Sequence, residues 1–90
     1  TNLVRTLQEL KKNGYWVTGA EAGGDQLYTD IDFTVPTALV IGSEGRGVRR
    51  LVRENCDYLV HLPMKGAINS LNASVAAALL MYEVLRQRES

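Results

Sequence analysis

The run Ala38-Leu39-Val40-Ile41 restricts the fold of this chain more than any other feature, because it passes without a break into Gly42-Ser43-Glu44-Gly45-Arg46-Gly47. A half-exposed strand alternates polar and apolar residues. A continuously apolar one needs cover on both faces, as in a parallel sheet. The glycines then end the strand and open a short helix over 48–55, whose Leu51 and Val52 are expected to face inward. Upstream, Leu3, Val4, Leu7 and Leu10 have helical spacing and predict a helix over 2–13, with Asn2 as its cap and Gly14 as its stop. Tyr15 to Thr18 is a β-prone run broken by Gly19 and then by Gly23-Gly24, and residues 25–36 are polar and irregular up to Pro36. Tyr58 to Leu62 supplies a third strand, ended by Pro63. After a loop over 65–69, Asn69 or Ser70 caps a last helix running to about Arg88. Helices and strands in this alternation make an α/β fold, a parallel sheet with flanking helices.

Three strands make a small sheet, and the opening helix has no preceding strand to pack on. Residues 1–90 are therefore expected to form one domain, and only part of it. The last helix points the same way. Between Leu71 and Leu85 only Asn72, Ser74 and Glu83 are not apolar, and a helix apolar all round is buried all round. One sheet covers one side. Either a further chain segment or a second subunit must cover the other, and Ala73, Ala76, Ala77 and Ala78 allow close approach there.

Ten basic and ten acidic side chains cancel, so net charge gives no case for nucleic-acid binding. The distribution is less even. Glu21, Asp25, Asp30 and Asp32 occupy a stretch without a base, and Arg46, Arg49, Arg50 and Arg53 one without an acid. The lone Cys56 excludes an internal disulfide and suits a reducing compartment. No leader-like segment opens the chain, and no apolar stretch approaches the ~18 residues of a membrane helix. A cytoplasmic protein is expected.

Glycine-rich turns after strands often approach an anionic or nucleotide-like ligand. The dinucleotide fingerprint needs G-x-G-x-x-G, whereas these glycines stand at 42, 45 and 47. Gly42 and Gly47 have the separation of a phosphate-binding loop, but Val48 and Arg49 follow where lysine and a hydroxyl residue are required. Both phosphate readings fail on chemistry. Instead, residues Ala38 to Val48 resemble the second conserved motif of SpoU-type (TrmH-like, SPOUT superfamily) RNA methyltransferases. Leu62-Pro63-Met64, followed by Ser70-Leu71-Asn72-Ala73-Ser74-Val75-Ala76, resembles their third. The resemblance covers nearly the whole chain and looks most like the bacterial branch that methylates a guanosine ribose in large-subunit ribosomal RNA.

That resemblance implies an α/β fold tied in a deep trefoil knot, an exception to the rule against knots. It implies that S-adenosyl-L-methionine binds within the knot, largely through backbone groups. Leu39, Ile41, Gly42, Glu44, Gly45, Leu62, Met64, Ser70, Leu71, Asn72 and Ala73 are then expected to line the cofactor pocket, with Ile68 completing an apolar slot for adenine. Glu44, Ser70 and Asn72 match the positions that orient the reacting groups. The reaction takes a methyl group to a ribose 2′-hydroxyl of rRNA or tRNA and needs no metal, since the leaving group is already activated. The family's catalytic arginine belongs to a first motif that would lie upstream of Thr1, and family members work as homodimers. The ninety residues alone are therefore expected to bind cofactor without turnover. The alternative is a non-catalytic knotted folding or dimerisation unit.

Simpler roles stand beside these. Glu44 also suits the dipole of the helix that follows, and Ser70 and Asn72 suit helix caps. Met64 is adaptable packing material. Arg46, Arg49 and Arg53 are candidates for RNA phosphate, and a solvated helix face is the plainer use of Arg49 and Arg53. His61, Cys56, Trp16 and Tyr15 are expected to pack, not to react.

Overall fold

The computed structural model describes residues 2–42, 50–63 and 70–89. Along the chain run α1 (Asn2–Lys12), β1 (Trp16–Ala20), β2 (Gln26–Leu27), a 3-10 turn (Tyr28–Asp30), β3 (Thr37–Ile41), α2 (Arg50–Glu54), β4 (Tyr58–His61) and α3 (Ser70–Glu89). The four strands among the described residues pair in parallel, in the order β2-β4-β1-β3. The α/β parallel sheet expected from the sequence is present, with four strands instead of three. The additional strand is β2, two residues at the sheet edge inside the segment expected to be irregular. So short a strand has no periodicity to read, and its pairing to β4 creates it.

The continuous apolarity of β3 is used on both faces. Leu39 and Ile41 pack with Ala20, Ile31, Phe33, Val60, Leu62, Ala76 and Leu80 on the α3 side. Ala38 and Val40 pack with Leu7, Val17 and Val52 on the other, beside Val4, Leu10 and Cys56. Alternate residues of a strand point to opposite faces, so one run serves two cores. The opening helix, which no strand precedes, finds its cover among elements that follow it, β1, β3 and α2.

Other details depart from the sequence reading. Gly14 ends α1 as expected, at φ +87°. β1 does not stop at Gly19; it continues to Ala20, in register with Val40 and Ile41. Leu51 is 53% exposed and only Val52 of α2 is buried. A helix of little more than one turn presents one position to the sheet, and adjacent residues lie about 100° apart around it. Trp16 and Tyr15 are exposed rather than packed in the strand, and the Trp16 ring stacks on Tyr58 at 6.0 Å between centroids.

On α3, Ala76, Leu80 and Glu83 are buried while Val75, Met81, Tyr82 and Leu85 are exposed. Among the described residues the helix is covered on one side. Its last turns hold the segment before β3. The Phe33 N–H donates to Gln87 Oε1 at 2.7 Å, and Gln87 Nε2 donates to the Ile31 carbonyl at 2.8 Å. One side-chain amide thereby serves residues 31–33 as a neighbouring strand would. Arg88 donates to the carbonyls of Phe33 and Val35. These contacts set α3 antiparallel to the strands, its end near the start of β3 and its beginning near the strands' carboxyl ends.

Glu83 is buried yet fully engaged, accepting from Arg86 at 2.7 and 2.8 Å and from Gln87 Nε2 at 2.7 Å. The Arg86 hydrogen bonds, foremost, hold its carboxyl below the usual glutamate value. A depressed folded-state pKa contributes stability above the ordinary carboxylate range, and that contribution is lost as pH falls through the folded value. The melting-temperature gap between the wild type and Glu83→Gln should be full near neutrality and close in acid. A gap independent of pH would contradict this.

Candidate site at the carboxyl end of the sheet

The strand register assembles the site. Ile41, Ala20 and Val60 lie side by side on β3, β1 and β4, with Gln26 of β2 beside Val60. One residue further along come Gly42, Glu21 and His61, with Leu27 opposite His61. Gly42 and His61 are thus two strand spacings apart, about 10 Å, with Glu21 between them. Ligands of open α/β sheets bind beyond this carboxyl end.

Gly42 is buried at the end of β3, and Leu62, the residue after β4, is 7% exposed. Ala76 packs in the same cluster as Ala20 and Leu62. Asn72 lies four residues before Ala76, hence on the same helix face one turn nearer the sheet's end. Asn72 and Ala73 are both half-buried. Of the residues singled out from the sequence, Ile41, Gly42 and Leu62 lie at the carboxyl end of the sheet and Asn72 and Ala73 at the start of α3, while Leu39 lies two residues back along β3, level with Thr18 and Tyr58. Glu44, Gly45, Arg46, Arg49, Met64 and Ile68 lie outside the described residues, as do the side chains of Ser70 and Leu71.

The turn at Gly23-Gly24 lies against the end of β4. The Glu21 N–H donates to the Val60 carbonyl at 3.0 Å and the Gly24 N–H to the Glu21 carbonyl at 3.1 Å. His61 Nδ1 stands 2.9 Å from the Gly24 carbonyl. A carbonyl only accepts, so Nδ1 carries the proton. Gly24 sits so close to β4 that a Cβ would collide with the backbone of Val60 and His61. The Gly23-Gly24 pair signalled a turn, and nothing in it signalled this contact.

Arg53 reaches the same turn, with Nε at 3.3 Å and Nη2 at 3.1 Å from Glu21 Oε2. Arg50 pairs with Glu54 on the same helix. Just after α2, Cys56 is half-buried, and burial first, then Asp57 and Glu21, push its thiol up to about 11. It stays protonated at neutral pH and is a packing residue. Among the described residues no group of three or more His, Cys, Asp or Glu is placed to hold a metal, and no helix is long and apolar enough to cross a membrane.

A buried glycine backbone flanked by apolar side chains suits a flat heterocycle, and the first turn of a helix adds polar groups at one rim. Residues 1–82 match the model of the SpoU rRNA Methylase family. A Bacillus subtilis protein assigned to the TrmH family of tRNA/rRNA methyltransferases, YacO, is 58% identical over 88 residues. That match covers 98% of this chain and 35% of YacO. A Staphylococcus haemolyticus protein of the same assignment is 57% identical over 88 residues, covering 98% of this chain and 35% of its own length. This chain thus spans about a third of these relatives. Among solved structures, the TrmH/SpoU tRNA modifying enzyme of A. aeolicus superposes with a TM-score of 0.81 at 37% identity, over 96% of this chain and 44% of that one. The SpoU methyltransferase AviRb of Streptomyces viridochromogenes, crystallised with its cofactor AdoMet, gives 0.79 at 38% identity, over 99% and 34%.

Proposed function

The chain belongs to the SpoU rRNA Methylase family, and from that membership we propose that it forms the cofactor-binding part of an S-adenosylmethionine-dependent enzyme that methylates a ribose 2′-hydroxyl of rRNA or tRNA. The observation that carries this reading is the convergence of Gly42, Leu62 and the first turns of α3 at the carboxyl end of the sheet. The residues present fit the cofactor. Gly42 offers a buried backbone with no side chain in the way, and Leu39, Ile41 and Leu62 offer apolar walls for adenine. Asn72, at the start of α3, offers a polar side chain beside them. Bound there, the cofactor supplies a methyl group on an already activated leaving group.

The chain's own residues then have two tasks, alignment of the reactants and help with the hydroxyl proton. Asn72, with Ser70 and Glu44, is assigned to orientation at the reacting end. Gly45, Met64, Leu71 and Ala73 complete the pocket. Arg46 and Arg49 are assigned to RNA phosphates, while Arg53 has less charge to offer because Glu21 already holds it. The family's knot would bring α3 to its place through a loop of earlier chain within residues 37–75. The exposed side of α3, formed by Val75, Met81, Tyr82 and Leu85, is assigned to a second copy of the chain, which fits its apolar character.

Turnover tests the reading. The ninety residues contain no arginine in the context of the first motif, so binding and chemistry should separate. With labelled S-adenosylmethionine and ribosomal or transfer RNA, this chain should leave the RNA unlabelled. The same residues in a protein of the relatives' full length should label it at a ribose. Robust labelling by the ninety residues would assign the chemistry to a residue present here, with Arg46 the first to replace.

A further inference from the structure

The end of α1 carries an asparagine followed by a glycine, Asn13-Gly14, the one such pair in the sequence. Such a pair favours an intramolecular reaction. The Gly14 backbone nitrogen attacks Asn13 Cγ and sheds its proton, ammonia leaves, and a succinimide closes. Water then opens the ring at either carbonyl, so an amide is exchanged for a carboxylate and residue 13 ends as aspartate or isoaspartate. Glycine obstructs this least, because no Cβ crowds the attacking nitrogen. Both residues are exposed to the water the reaction consumes. The fold nevertheless restrains both reacting groups. The Gly14 N–H donates to the Lys11 carbonyl at 3.1 Å and the Tyr15 N–H to the Leu10 carbonyl at 3.0 Å, with Gly14 at φ +87°. These are the paired bonds of a glycine helix cap. The Asn13 side-chain amide donates to the Glu9 carbonyl at 2.9 Å. Attack requires the side chain to leave Glu9 and the Gly14 nitrogen to leave Lys11, so the cap must open first.

We propose that Asn13 is a deamidation site gated by the cap of α1, protected while the cap is closed, reactive when the last turn frays, and unable to close the cap again once modified. A carboxylate has no proton to give the Glu9 carbonyl, and its charge falls at the negative end of the helix dipole. Isoaspartate also adds a methylene to the backbone, which takes Gly14 and Tyr15 out of register with Lys11 and Leu10. Each modified chain thus loses the closure that had protected it. The consequence reaches the core, because Leu10 packs beside Leu7, Val17 and Val52, and Tyr15 leads directly into β1. Helix ends open at a small free-energy cost compared with the whole fold, so a few hydrogen bonds set the protection. Asn55 gives the contrast. Its side-chain amide donates to the Leu51 carbonyl at 2.8 Å and the Cys56 N–H to the Arg53 carbonyl at 3.0 Å. The arrangement is similar, but the Cys56 side chain crowds the nitrogen that would have to attack.

Peptide mapping by mass spectrometry tests this on the chain kept in mildly alkaline buffer, folded and in urea. The mass gain of an amide-to-acid exchange should collect at residue 13 and not at Asn55. It should accumulate about tenfold faster in urea, the weight of the capping bonds that must break. Gly14→Ala should slow the reaction severalfold in urea, where its added Cβ crowds the nitrogen and no fold intervenes. Asn13→Asp, which stands for one product, should melt about 5 °C below the wild type. Equal rates in the folded and the urea-unfolded chain would overturn the gating, and so would a chain that reacts at Asn55 as readily as at Asn13. No mass gain at residue 13 in urea would overturn the site itself. An Asn13→Asp chain that melts with the wild type would overturn the loss of the cap.

Discussion

Replacing Gly24 with alanine should destabilise the chain by about 3 kcal/mol, the upper part of the usual cost of forcing volume into a packed site. The added Cβ would lie 2.5 Å from the Val60 carbonyl oxygen and 2.8 Å from the His61 nitrogen, and closer still to the Val60 carbonyl carbon. All of these are backbone atoms of β4, so no side chain can swing aside. The turn must lift from the strand, which breaks the Glu21-to-Val60 hydrogen bond and separates His61 from the Gly24 carbonyl. For a domain of this size that loss should lower the melting temperature by roughly 15 °C. Gly23→Ala is the matched control. Nothing lies within 4 Å of its added Cβ, and its effect should stay within about 0.5 kcal/mol. Thermal melts of the two variants check this directly, and equal melting temperatures would contradict the close packing of residue 24 on β4.

Gly23 and Gly24 are indistinguishable as letters, which shows where sequence reading stops. The two-sided burial of β3 was legible because four apolar residues in a row have one physical explanation. The end of α1 at Gly14 was legible from the glycine that closes a periodic run, whereas the all-round apolarity of α3 did not tell which side this chain covers, that of Ala76 and Leu80. What depended on distant pairing was not. Gln26 and Leu27 become a strand only because β4 lies beside them. Ile31 and Phe33 lie buried in a polar stretch because Gln87, more than fifty residues away, supplies their backbone with partners. Glu21 and Arg53 stood out as parts of oppositely charged stretches, but nothing local pairs them. At the site, the order of the motifs was enough to single out Gly42, Leu62 and Asn72. The register of β1, β3 and β4 is what brings Gly42 and Leu62 to one end of the sheet, and the direction of α3 brings Asn72 toward them.

Within that site the largest effect on binding should come from Gly42→Val. Gly42 is buried where β3 ends, and a branched side chain there would occupy the space left for the cofactor. Binding should be abolished. Asn72→Ala removes a polar group but no space, so its cost should be about tenfold in Kd, the worth of one good hydrogen bond. Circular dichroism of each variant separates loss of binding from loss of fold. A folded Gly42→Val protein that binds as well as the wild type would remove Gly42 from the pocket. The reverse order of effects would make the pocket a polar one.

The most direct test of the central claim is a calorimetric titration of the ninety-residue chain with S-adenosylhomocysteine, beside NAD and ATP under the same conditions. A cofactor site built from Gly42, Leu62 and the start of α3 predicts saturable binding of S-adenosylhomocysteine and none of the other two. A folded chain that gives no saturable signal with S-adenosylhomocysteine, or that binds NAD or ATP as tightly, would contradict it.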